Sequence, residues 1–232
     1  MAPGNRPIRQ TPSKGLLVNV PGMKRLMLAL AIVALAGCAA GQGRPRLPYD
    51  YWYVGIGAPR YMEVWVESVD VIDRRGLAYF DIHGGVVAYN DKVPGWYEGG
   101  GKMMPVSNVD LPETLFVRWQ SLVEPQVYKL RIDIPQWVRD EMVKPQRAFC
   151  RADGKWIDNL YRYDISIGMA PGGIAKAWVG GPCLSNIEIG RYQAKIDPRG
   201  PYEGNSNGRY YRPPTEAAQS YIKEHGIPYG SW

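Results

Sequence analysis

The stretch TLFVRWQSLVEPQVYKLRIDI, residues 114–134, alternates apolar and polar side chains on both sides of a short break. Leu115, Val117 and Trp119 share one face of the first run, with Phe116, Arg118 and Gln120 on the other. In the second run Tyr128, Leu130, Ile132 and Ile134 oppose Lys129, Arg131 and Asp133. Successive side chains of a strand point to opposite faces, so a period of two marks half-buried strands. Two such runs around a short Pro-containing turn predict a hairpin.

The same reading extends in both directions. Upstream, YDYWYVGI stops at Gly57-Ala58-Pro59, and YMEVWVESVDVI alternates imperfectly because Trp65 shares the acidic face of Glu63 and Glu67. GLAYFDI ends at His83-Gly84-Gly85, which reads as a turn, and VVAYN follows. The stretch DKVPGWYEGGGKMMPVSNVDLPE is long for a structureless loop, so it is either a functional insertion or the cover of a short strand. Downstream, PQWVRDEMVK predicts a short helix opened by Pro135 and stopped by Pro145, with Val138 and Met142 as its apolar stripe. LYRYDISIGM, the turn APGG and IAKAWVG predict a second hairpin, and NIEIGRYQAKI a last strand. Thr215 can cap a helix over EAAQSYIKEH that stops at Gly226. Trp52, Trp65, Trp119 and Trp178 fall in strands and are expected in the core. The expected fold is mainly β, an antiparallel β-sandwich with one or two short helices: a β-rich domain over residues 49–200, then a tail over 201–232 with a short helix.

The N-terminal part reads differently. Lys24 and Arg25 precede an apolar run of 11 residues, Leu26–Ala36, which is too short for a bilayer span of roughly 20 residues and suits a secretory signal. It closes on Leu35-Ala36-Gly37-Cys38, which resembles the bacterial lipobox. That resemblance implies acylation of Cys38, cleavage before it, and residues 1–37 as an extension plus signal peptide. Met23 is the expected start of translation, since residues 1–22 carry no apolar period. Ala39, where an Asp would favour retention, resembles the pattern sent to the outer membrane. Residues 38–48 then form the lipidated cysteine and a flexible tether.

Charge and cysteine content narrow the classes. The net charge is +6, but residues 1–37 hold five basic and no acidic residues, leaving 23 basic against 22 acidic in the rest. That balance gives no electrostatic reason to expect nucleic acid. Of the three cysteines, Cys150 and Cys183 remain after Cys38. An even pair in an exported chain predicts a disulfide.

Motifs for catalysis are lacking. His83 and His225 sit in no metal-ligand spacing, Ser166 lies in a strand setting with no nucleophile elbow, and EGGGK (98–102) lacks the phosphate-loop spacing. No catalytic residue, metal ligand or cofactor is expected. Loop aromatics stand out instead: Trp96-Tyr97 in the long Gly-rich stretch and Tyr210-Tyr211 in GRYYRPP. Exposed Trp and Tyr are frequent interface anchors, and residues 91–109 with Trp96 and Tyr97 are the expected part of a protein-binding surface.

Three ordered motifs carry a family resemblance over residues 47–196: the aromatic strand ending in Ala58-Pro59, Leu111-Pro112 before the strand of Trp119, and Ala170-Pro171-Gly172-Gly173 before Trp178. Together they resemble a family of proteobacterial lipoproteins classed as a domain of unknown function. Some similar proteins are described as immunity lipoproteins that neutralise type VI secretion effectors. The resemblance implies an envelope lipoprotein, anchored in the bilayer through Cys38 and facing the periplasm, whose partner is a secreted effector or an envelope component. A structural, glycan-binding or other ligand-binding envelope lipoprotein without catalytic activity is the alternative.

Overall fold

A computed structural model describes residues 46–89 and 99–232. Its strands fall into two sheets whose inner faces meet. The first has the order β12 (Leu184–Gln193), β11 (Ile174–Gly181), β10 (Asp164–Ala170), β1 (Tyr51–Ala58), β4 (Ala88–Tyr89), and β5 (Lys102–Ser107) also pairs with β1. The second has the order β13 (Lys195–Ile196), β7 (Gln126–Asp133), β6 (Pro112–Ser121), β2 (Val64–Asp73), β3 (Ala78–Val86). A two-stranded ribbon joins β8 (Gln146–Cys150) to β9 (Lys155–Leu160). Pairing is antiparallel except that β1 runs parallel to β10 and β4. The chain is therefore a mainly antiparallel β-sandwich, as the alternation predicts.

The alternating residues build the core. Leu115, Val117 and Trp119 of β6 and Tyr128, Leu130 and Ile132 of β7 point inward against Trp52, Val54 and Ile56 of β1 and Ile165, Ile167 and Met169 of β10. Helix α1 (Gln136–Val143) starts after Pro135 and buries Val138 and Met142 in the same cluster. Each such side chain is worth about 1.5–3 kcal/mol of transfer free energy when fully buried. The broken alternation of β2 is a bulge. Val66 pairs with Trp119 and Ser68 with Arg118, so Glu67 is an extra residue. Val64 and Val66 face inward before it, Val69 and Val71 after it. One inserted residue shifts a period-two pattern to the other phase.

Several details correct the sequence reading. His83 is no turn residue: β3 continues through it to Val86, and its ring is buried. Its Nδ1 accepts from the Gly84 amide at 2.8 Å, so its Nε2 carries the proton and donates to the Lys102 carbonyl at 2.7 Å. The long Gly-rich stretch does hold a strand, β5, along β1. Gly101 sits at φ 121°, where a Cβ would lie 2.6 Å from the Ile56 carbonyl oxygen, so this glycine permits a close backbone approach. The expected last strand is two: at Ala194 the chain leaves the first sheet as β12 and joins the second as β13. Trp65 lies on the outer face of β2, half-buried, and not in the core with Trp52 and Trp119; Trp178 is buried, but outside that cluster, with the Lys176 ammonium 5.6 Å from its ring.

Helix α2 (Glu216–His225) forms as expected, with the Thr215 hydroxyl accepting from the Ala218 amide and Gly226 at its end. Arg44–Trp232 forms one unit, closed over its own core and disulfide. Among the described residues no helix is long and apolar enough to cross a membrane.

Candidate functional site

The outer face of the second sheet is covered only in part. Residues 197–215 run back across it as a strap. Arg118 is the anchor: its guanidinium donates to Glu67 at 2.5 Å, to Asp197, and to the Gly200 carbonyl. Gln120 donates to Glu67 at 2.8 Å and accepts from the Tyr211 amide at 2.7 Å. Further along, Glu63 accepts from Arg212 at 2.7 Å and from the amide and hydroxyl of Thr215, which fixes the start of α2. Arg199 and Arg118 hold the Asp197 carboxyl well below the usual carboxylate range. The polar positions of β2 and β6 are thus buried beneath the strap and satisfied by it, as buried polar groups must be.

Beyond the strap the same face opens into a groove of about 710 Å³. Its apolar part is Ile72, Phe116 and Phe80, the last 75% exposed. Its rim is cationic: Lys129, Arg131, Lys195 and Arg199 all line it. The strand register puts them there. Phe116 pairs with Arg131, whose guanidinium lies 5.6 Å above the ring, and Lys129 pairs with Lys195. Like charges directly opposite on neighbouring strands disfavour the sheet; here Lys129 is offset by the Asp197 carboxylate at 3.8 Å and Arg131 by Asp133 at 2.8 Å, which leaves Lys195 as the rim cation directed at an incoming anion. Asp70 and Glu203 also line the groove; burial raises the Asp70 pKa, and Glu203 pairs with Arg199 at 3.1 Å. The arrangement can take a carboxylate or phosphate on its rim together with an apolar group on its floor.

The residues singled out from sequence fare differently. Cys150 and Cys183 are disulfide-bonded, as expected. Cys38, Trp96 and Tyr97 lie outside the described residues. Tyr210 and Tyr211 are used within the fold: Tyr211 stacks on Trp65, and the Tyr210 hydroxyl donates to the Pro125 carbonyl. Ser166 is buried, with its Oγ accepting from the Gly100 amide. His225 sits on the exposed end of α2. No group of His, Cys, Asp and Glu suited to a metal ion occurs among the described residues.

The groove itself was missed, although the hairpin carried its signal. A turn that sets Ser121 opposite Gln126 forces Phe116 beside Arg131 and Arg118 beside Lys129. The contribution of β13 had no such signal, because the switch at Ala194 is a tertiary event.

No curated protein and no solved structure matches the chain. A family model matches residues 39–230, which extends past the 47–196 carrying the sequence resemblance and takes in both the strap and α2. On that match the chain belongs to the family described as Protein of unknown function (DUF2931).

Proposed function

We propose that this protein is an envelope lipoprotein, anchored through acylated Cys38, that binds a protein partner without turnover. The observation that carries the reading is the outer-face groove: an apolar floor of Phe116, Phe80 and Ile72 beneath four cationic side chains. Apolar anchors ringed by charge are the usual composition of a recognition surface, and the chemistry selects a segment with an acidic residue next to an apolar one. A secreted toxic effector reaching the periplasm is the partner class, supported by the sequence resemblance to immunity lipoproteins and by the lipobox. The rigid sheet supports the site, so binding needs little ordering of the surface.

The test is co-purification from envelope extracts, and protection of cells attacked by a neighbour that carries the cognate effector. Protection and capture are expected to fall together in Lys129→Glu/Arg131→Glu and in Phe116→Ser, and to survive single substitutions of exposed carboxylates away from the groove. Full capture by both groove variants rejects this surface. A hydrolytic activity abolished by one carboxylate substitution overturns the binding reading. Cys38→Ser is expected to accumulate as unprocessed precursor without labelled palmitate; equal labelling in the parent and the variant rejects the anchor.

A further inference from the structure

The ribbon β8–β9 has no place in the sandwich, yet its position is fixed at both ends. At its base, the Tyr49 hydroxyl donates to the Met142 carbonyl at 3.1 Å, just before β8. The Tyr49 ring also packs on Tyr161, just after β9, with centroids 5.9 Å apart. At the far end of β8, Cys150 is bonded to Cys183, in the turn between β11 and β12. Between these fixed points one face of the ribbon is turned to solvent. It presents Arg147, Phe149, Trp156 and Asp158. Phe149 and Trp156 are paired across the strands and lie 46% and 60% exposed. Their rings meet edge-on at 5.9 Å, and the Arg147 guanidinium sits 5.3 Å above the indole while its Nε pairs with Asp158 at 3.2 Å, an exposed ion pair that a phosphate can replace.

Two exposed aromatics on a rigid ribbon are costly in water unless something covers them. Where the chain enters the domain says what does. Tyr49 is the residue on which the ribbon stands, and it lies eleven positions after Cys38. From Cys38 to Arg46, the first described residue, the chain can span at most about 28 Å. A domain tethered so closely meets the lipid surface at a high effective concentration, of order millimolar for short flexible linkers. Trp with an adjacent cation is the side-chain chemistry of the headgroup layer, where the indole reaches the acyl boundary and the guanidinium stays with the phosphates.

We infer that the Arg147–Phe149–Trp156 face of the β8–β9 ribbon docks on the phospholipid surface and sets the orientation of the domain on the bilayer. The acyl chains hold the protein; the ribbon aims it. The disulfide keeps the aromatic face turned outward, which gives the crosslink a role in orientation besides stability. This inference rests on the anchored reading above only for the nearness of the bilayer.

The experiment supplies that nearness by other means. Residues 39–232, with hexahistidine in place of residues 1–38, are held on phosphatidylcholine vesicles through a nickel-chelating lipid, with and without bromine on the acyl chains. The parent is expected to lose Trp emission on the brominated vesicles. Trp156→Phe is expected to abolish that bromine-dependent loss, and Phe149→Ser to reduce it, with the disulfide intact by mass and the melting temperature unchanged. A vesicle-bound parent that shows no bromine-dependent loss, or equal loss in the parent and Trp156→Phe, overturns the inference. A failure of palmitate labelling at Cys38 would reject the anchor and leave this result standing.

Discussion

The Tyr211 ring lies flat on the Trp65 indole, with centroids 3.5 Å apart and planes 8° from parallel. These residues are separated by most of the domain in sequence, so the stack is the point where the strap closes over the outer face of β2. Beside it the Tyr211 amide donates to Gln120, so backbone and ring are fixed together. Tyr211→Ala leaves that amide in place and removes the ring. Stacked aromatic pairs contribute about 0.5–1.5 kcal/mol beyond the area they cover. The expected result is a moderate loss of stability by urea denaturation and faster proteolysis at Arg209, with the sheets unaltered. Proteolysis at the parental rate would mean that the hydrogen bonds alone hold the strap.

Arg118 is the more demanding element. Its guanidinium has three strap or sheet partners, and both carboxylates that it serves, Glu67 and Asp197, are largely shielded from solvent. Removing one member of a buried ionic network leaves uncompensated charge and costs about 3–5 kcal/mol. Arg118→Met, which keeps most of the volume, is therefore expected to lower the urea midpoint far more than Arg131→Met on the exposed rim. Equal losses in the two variants would show that the network contributes no more than a surface pair.

The contrast between the two arginines bears on what a sequence can disclose. Both occupy the polar face of the 114–134 hairpin, and alternation alone makes them equivalent. The sandwich, the inward residues and both helices follow from periodicity, Pro and capping residues, because these signals are local. The burial of Arg118 is nonlocal, since Asp197 and Gly200 arrive from a segment beyond the last strand. The ribbon β8–β9 had a local signal in Asp153-Gly154, with Gly154 at φ 64°, but the run QRAFC is too short for its alternation to stand out. Trp65 went to the core in the sequence reading because an indole in a strand reads as apolar; its partner Tyr211 could not be foreseen.

Half-buried Asp164 and buried His83 make stability depend on pH in opposite directions. Burial raises the Asp164 pKa from 3.8 to about 6. The folded chain then holds this proton more tightly than the unfolded chain, so the stability gained from the protonated form is lost as pH rises from about 4 through about 6. Asp164→Asn is expected to be more stable than the parent at pH 8, with the advantage gone by about pH 4. Burial lowers the His83 pKa below 6.5. Here the unfolded chain binds the proton first, so stability falls as pH drops below about 6.5. His83→Gln, which can still donate to the Lys102 carbonyl, is expected to flatten that acid limb. Urea midpoints from pH 4 to 8 for the parent and the two variants separate the effects; parallel curves would show that neither group is linked to folding.

The Cys150–Cys183 bond joins positions 33 residues apart in sequence and ties the ribbon to the β11–β12 turn. Its contribution has a global and a local part. The global part comes from restricting the unfolded chain and is typically about 2–4 kcal/mol. The local part concerns the ribbon alone, whose two strands lie outside both sheets, and isolated two-stranded ribbons are marginal in water. Cys150→Ala/Cys183→Ala is therefore expected to lower the global stability by about 2–4 kcal/mol. Amide exchange should accelerate most strongly in residues 146–160 under native conditions. The Tyr49 contacts with Met142 and Tyr161 remain in that variant, so the base of the ribbon should stay protected while its tip opens. Hydrogen-exchange mass spectrometry of the ribbon peptides against those of β6 and β7 distinguishes the parts. A uniform rise in exchange across both sheets and the ribbon would show that the bond acts only on the unfolded chain.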